Sequence, residues 1–190
     1  MSRLVREMLV RYSRLAHERG LTAAFGGNLS VLFNGKIFIK ATGAVMDELT
    51  REQIAVIDLE GNVLSLVRPS SEWKLHVEIY KRREDIKAVV HLHPPYSIVA
   101  STLLSGELPI ITPEAEIYLK KIPIAEFKPA GSWELAKETA KYLENYDAVI
   151  MANHGIVTVG KSLREAYYKA ELVEESAKLW YLKEKGEQIT

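Results

Sequence analysis

The chain has 190 residues, 47% hydrophobic and 26% charged, which supplies a sizeable core and excludes the low-hydrophobicity signature of disorder. Lys plus Arg and Asp plus Glu number 25 each, so the formal charge is zero and the basic surplus needed for generic nucleic-acid binding is missing. Cysteine is absent, which excludes disulfides, thiolate metal sites and a cysteine nucleophile and leaves His, Asp and Glu as candidate metal ligands. Met1-Ser2-Arg3-Leu4-Val5-Arg6-Glu7 lacks the apolar run of a signal peptide, and no segment has the roughly 20 apolar residues of a membrane span. The expectation is a cytoplasmic protein, one domain over residues 1–190, whose partner is a small molecule.

Leu4, Met8, Leu9, Tyr12, Leu15 and Ala16 recur at helical spacing and Gly20 follows as a stop signal, which predicts an amphipathic first helix. Leu29–Phe33, the pair Asn34-Gly35 and Lys36–Lys40 read as a hairpin with a type I′ turn. Ile54–Leu59 is a strand, and after Glu60-Gly61-Asn62 the segment Val63–Leu66 is expected to return as its partner. Ser70 or Ser71 caps a helix running through Arg82, with Leu75, Ile79 and Tyr80 among its apolar positions. Ala88–His91 is a short buried strand, and Pro94-Pro95 opens another helix. Between Leu103 and Pro129 the prolines at 109, 113, 123 and 129 break every period, and only a short helix from Glu114 to Leu119 is predicted. A helix over Leu135–Leu143, strands at Ala148–Met151 and Ile156–Val159, and a long helix from about Leu163 to Lys185 complete the chain. Hairpins without a regular βαβ rhythm predict a three-layer α/β/α sandwich around a mostly antiparallel sheet.

The strongest chemical signal is His91-Leu92-His93. Two His at i and i+2 on an extended segment project from one face and can converge on one ion. His154, between two strands and before Gly155, adds a third imidazole, and Glu72 is a candidate fourth, acidic partner. One His at a strand end is more often a hydrogen-bonded structural residue, but three together point to zinc, with cobalt, manganese and iron also allowed by the ligand types. Ser70-Ser71-Glu72-Trp73 puts two hydroxyls and a carboxylate at a helix start, where an anion is favoured; a plain cap is the simpler reading. Gly26-Gly27-Asn28 and Thr42-Gly43 are ordinary turns singly and the material of a phosphate nest together. His76, four residues after Glu72, is either structural or a metal partner of it. His17 reads as solvated or capping, and the last helix as core or subunit packing.

The ordered series Gly27-Asn28-x-Ser30, Thr42-Gly43, Ser70-Ser71-Glu72-Trp73, His91-x-His93 and Asn153-His154-Gly155 resembles the class II sugar-phosphate aldolases and 4-epimerases. The Ser-Ser-Glu run is more similar to the fuculose-1-phosphate aldolase members than to the epimerases, which tend to carry Asp at the acidic position. The resemblance implies a four-fold symmetric homotetramer and zinc, or Co2+ or Mn2+, held by Glu72, His91, His93 and His154. It also implies substrate-phosphate contacts from Gly27, Asn28, Thr42, Gly43, Ser70 and Ser71. The implied reaction is reversible cleavage of a ketose 1-phosphate to dihydroxyacetone phosphate and a short aldehyde such as L-lactaldehyde, through a metal-stabilised enediolate with Glu72 as base. Epimerisation, dehydration or decarboxylation through the same enediolate, and a non-catalytic domain with a structural metal, are the alternatives. The family's tyrosine in the segment matching Ile110–Glu114 has no counterpart here, and its C-terminal tyrosine tail has no match before Thr190. Tyr118, Glu114 and Glu116 are the candidate substitutes.

Overall fold

The computed structural model describes residues 1–187, and within them eight strands form one sheet flanked by six α-helices. In chain order the elements are α1 (Ser2–Glu18), β1 (Asn28–Phe33), β2 (Lys36–Lys40), β3 (Ile54–Asp58), α2 (Trp73–Arg82), β4 (Ala88–Leu92) and α3 (Pro95–Leu103). They continue with β5 (Glu107–Leu108), α4 (Pro113–Leu119), β6 (Ile122–Ala125), α5 (Trp133–Leu143), β7 (Ala148–Met151), β8 (Gly155–Gly160) and α6 (Leu163–Glu187). The strand order is β3-β2-β1-β4-β8-β7-β6-β5, antiparallel throughout the described residues except where β6 runs parallel to β7.

The layering follows from the two-residue period of the strands. Phe38, Val90, Ile150 and Ile156 face one core, which they share with Leu9 and Tyr12 of α1, Ala100 of α3, Leu119 of α4 and Tyr167, Val173 and Trp180 of α6. Their neighbours Ile37, Ile39, Val89, Val149 and Val157 face the other core, with Leu75, Ile79 and Tyr80 of α2 and Leu135, Ala136 and Leu143 of α5. Each fully buried aliphatic here stabilises the fold by about 1.5–3 kcal/mol, and the result is the expected α/β/α sandwich. Asn34 and Gly35 both have positive φ, 49° and 71°, as a type I′ turn requires.

Three expectations change. Val63–Leu66 forms no strand. The Asp58 side chain takes the N–H groups of Glu60 and Asn62, and beyond this turn Val63 makes only an isolated bridge to Ile57. Leu64 N–H bonds the Val56 carbonyl at 2.8 Å and Ser65 Oγ accepts from Val56 N at 2.9 Å, so a loop covers the β3 edge. Helix α2 starts at Trp73 with Glu72, not a serine, in the N-cap position; Ser70 Oγ accepts only the Glu72 N–H, at 3.3 Å. The stretch expected to hold a single short helix also contains β5 and β6.

Candidate active site

In this antiparallel order the start of β1, the end of β2, the end of β4 and the start of β8 lie at one end of adjacent strands. That end carries Gly27 and Asn28, then Lys40 to Gly43, then His91 and His93, and the β7–β8 turn with His154. The loop into α2 brings Ser70, Ser71 and Glu72 to the same place. These residues, apart from Ala41 and fully buried His91, line one cleft of about 310 Å³ together with Phe25, Gly26 and Ala130.

Its floor is the His and Glu cluster. Glu72 Oε2 lies 2.9 Å from His91 Nε2, Glu72 Oε1 lies 3.2 Å from His154 Nε2, and His91 and His93 face each other Nε2 to Nε2 at 2.9 Å. One donor atom from each of the four residues falls within 4.8 Å of all the others. A tetrahedral ion with bonds near ~2.1 Å sets its ligand atoms about 3.4 Å apart, so the spacing suits one. Two further observations fit an ion. His91 Nδ1 donates to the Ile156 carbonyl at 2.9 Å, so in the neutral ring Nε2, which faces the other donors, is the nitrogen with the free lone pair. Glu72 Oε1 is buried yet makes no aligned hydrogen bond, and a cation would satisfy it.

Burial opposes the charge on Glu72, but His91 and His154 outweigh it and hold the carboxyl far below the usual range. Burial likewise opposes protonation of His91, and Glu72 overcomes it, so that imidazole is raised. His93, which lacks this direct carboxylate contact, is pushed down to about 3 by burial and by its two imidazole neighbours.

Close backbone approach makes the cluster possible. Gly27 has φ +72°, and a Cβ there would meet the His91 carbonyl oxygen at 3.0 Å. At Gly155 a Cβ would lie 2.2 Å from the Leu92 carbonyl oxygen and 2.8 Å from the His93 ring. Asn28 pairs directly with His91 across β1 and β4, and its Nδ2 donates to Glu72 Oε2 at 3.1 Å.

Beside the cluster the Gly27-Asn28, Thr42-Gly43 and Ser70-Ser71 segments line the same cleft, and Ser70 N–H on the Lys40 carbonyl at 2.9 Å ties the last to the end of β2. Lys40 belongs to none of the motifs singled out in the sequence. It closes β2, is only 3% exposed, and its Nζ donates to the Ala44 carbonyl at 2.6 Å. Burial lowers its pKa and Glu72 partly restores it. The available signal is a lysine ending an otherwise buried strand just before Thr42-Gly43. His76 is no ligand: it is fully buried, bonded to Asn28 and Ser30, and pushed down to about 3 by burial and then by His91. His17 is part-exposed with its Nδ1 3.9 Å from Asp47. Within this chain Tyr118 and Glu114 line a groove against α6, and neither these nor Glu116 lines the cleft, because α4 packs on that helix.

A family model described as Class II Aldolase and Adducin N-terminal domain matches residues 7–181. An L-fuculose phosphate aldolase of Methanocaldococcus jannaschii is 41% identical over 177 residues, spanning 93% of this chain and 96% of that protein. A 3-oxo-tetronate 4-phosphate decarboxylase of Haemophilus influenzae is 33% identical over 181 residues, 93% of this chain and 86% of that protein. The crystal structure of L-fuculose-1-phosphate aldolase from Thermus thermophilus superposes with a TM-score of 0.92 at 28% identity, covering 100% of this chain and 98% of that one. The family match takes in every segment that builds the cleft, and the chain therefore belongs to the class II aldolase and adducin family.

Proposed function

We propose that this chain is a metal-dependent aldolase that reversibly cleaves a ketose 1-phosphate of the L-fuculose 1-phosphate type to dihydroxyacetone phosphate and a short aldehyde such as L-lactaldehyde. The observation that carries the reading is that one cleft holds both a carboxylate ringed by three imidazoles and, next to it, a cradle of glycine, hydroxyl and lysine donors. Glu72, His91, His93 and His154 hold the ion, with zinc the first choice for three imidazoles and a carboxylate. A divalent ion bound there supplies Lewis-acid stabilisation of the negative charge that develops on substrate oxygens.

The chain's own residues do the rest. The backbone of Gly27, Asn28, Thr42 and Gly43, the hydroxyls of Thr42, Ser70 and Ser71, and Lys40 hold the phosphate and set the distance from it to Glu72. Glu72 moves the proton at the substrate carbon, and in the N-cap position its carboxylate makes no capping bond to the helix and faces the cleft. The aldehyde half faces Phe25 and Ala130 at the rim. A homotetramer with its sites near subunit interfaces accounts for the lack of a tyrosine over the cleft among the described residues of one chain.

The test is to incubate the zinc-loaded protein with L-fuculose 1-phosphate and follow release of dihydroxyacetone phosphate, with Glu72→Gln as control. Release by the unaltered protein alone supports the reading, and none from either protein rejects it. The 33% identity to the 3-oxo-tetronate 4-phosphate decarboxylase favours one second reading, decarboxylation of a phosphorylated 3-oxo acid in the same cleft. Carbon dioxide evolution from such an acid, with no aldol cleavage, would select it.

A further inference from the structure

Glu72 is also the end of a buried chain of side chains that the proposed reaction does not use. Asn28 and Ser30, two apart on β1, share a strand face, while Glu72, His76 and Tyr80, four apart, share one face at the start of and along α2. The two sets interleave. Asn28 Nδ2 donates to Glu72 Oε2 at 3.1 Å, Asn28 Oδ1 makes a short hydrogen bond with His76 Nε2, His76 Nδ1 is 2.7 Å from Ser30 Oγ, and Ser30 Oγ is 2.8 Å from the Tyr80 hydroxyl. Ser30 and His76 are fully buried, and Asn28 and Tyr80 are 2% and 3% exposed, so water does not complete these bonds.

Hydrogen-bond inventory fixes every direction along the chain. A carboxylate only accepts, so Asn28 must turn its NH2 toward Glu72 and its Oδ1 toward His76. His76 Nε2 must then carry the ring proton. The bare Nδ1 of the neutral ring accepts from Ser30, whose oxygen accepts in turn from the Tyr80 O–H. Moving the ring proton to Nδ1 would reverse the sequence and set the Asn28 oxygen against Glu72.

We infer that Tyr80, Ser30 and His76 are positioning residues that lock the Asn28 amide in its donating orientation, and so hold Glu72 in one pose on the cleft floor. The inference rests on the reading of Glu72 as ligand and base. It also assigns the Asn28 side chain to Glu72, leaving its backbone for the phosphate.

The test uses the zinc-loaded protein labelled with 15N-histidine. A long-range 1H–15N spectrum reads the ring tautomer of His76, identified by the signals lost in His76→Gln. A neutral ring protonated at Nε2 is expected; a proton on Nδ1, alone or in addition, overturns the inference. Zinc affinity against a competing chelator and the cleavage kinetics are then compared for His76→Leu and His76→Gln, the second of which keeps a donor near the Nε2 position. His76→Leu is expected to lower both zinc affinity and kcat about 10–100-fold with KM changed less than about threefold, and His76→Gln to recover most of each. Equal losses in the two variants, or lowered thermal stability with zinc affinity and kcat intact, overturn it. Should His76→Leu fail to fold, the tautomer decides. The spectrum and zinc affinity need no substrate, so if they behave as expected while cleavage is absent, the proposed reaction fails and the positioning chain stands.

Discussion

Replacing Gly155 by alanine isolates the packing on which the cluster depends. Gly155 opens β8 opposite Met151 with an ordinary negative-φ backbone, so alanine meets no conformational barrier, only a steric one. The added carbon would lie 2.2 Å from the Leu92 carbonyl oxygen, whereas an ordinary carbon–oxygen contact is about 3.3 Å. About 1 Å of separation must therefore open between β8 and the end of β4, and Leu92 cannot yield alone because β4 is held between β1 and β8. Overpacking of this kind costs about 3 kcal/mol, which in a domain of this size lowers Tm by about 6–12 °C. Leu92 separates His91 from His93, so zinc affinity should fall about tenfold or more as well. Gly35→Ala is the control: φ is +71° but nothing lies within 4 Å of the new carbon. It should cost about 1–2 kcal/mol of backbone strain and leave zinc affinity alone. A Gly155→Ala protein that melted within about 2 °C of the original and bound zinc equally well would show that close approach at Gly155 does not support the cluster.

Glu72→Gln should lower kcat about 10²–10⁴-fold, because proton transfer and the charge facing the imidazoles both change; turnover within a few-fold of normal would remove Glu72 as the base. Lys40→Met should raise KM for the sugar phosphate and the inhibition constant of inorganic phosphate about 10–100-fold, as loss of one charge-assisted hydrogen bond requires. Asp147 is bonded by Lys169 at 2.8 Å and Arg83 at 3.0 Å, and although burial opposes its charge these cations keep its carboxyl low. Its contribution is therefore complete above the unfolded carboxyl value of about 3.9 and lost as pH falls through the folded value. Asp147→Asn should cost about 1 kcal/mol at neutral pH, discounted for the partial exposure of the carboxylate, and the two unfolding curves should converge below about pH 4.

The parts of the molecule legible in the sequence are those where one local rule governs. Asn34-Gly35 can form only a few turns, and His91-x-His93 on a strand can only share a face. The unread parts are those decided elsewhere in the fold. Pro123 sits inside β6, where its missing N–H is tolerated because the four-residue strand pairs with two-residue β5 on one side and runs parallel to β7 on the other. Val63–Leu66 has strand composition, but Asp58 captures the turn and leaves Val63, Leu64 and Leu66 exposed. Glu72 stands where the local pattern predicts a serine cap because its carboxylate is drawn to the histidines, a local rule broken at a functional site. Lys40 and the Ser30–His76–Tyr80 chain are single polar residues in apolar elements, and only the pairing of β1 with β2 and β4 and the packing of α2 give them meaning.

The proposed reaction turns on Glu72 moving a proton of a phosphorylated three-carbon unit held in the cleft, and hydrogen exchange tests this without any aldehyde. Dihydroxyacetone phosphate is incubated in D2O with the zinc-loaded protein and followed by 1H NMR. Exchange of one hydrogen on the hydroxyl-bearing carbon is expected, abolished by chelation of the metal and by Glu72→Gln. No exchange with the loaded protein, or exchange that persists in Glu72→Gln, would contradict that role.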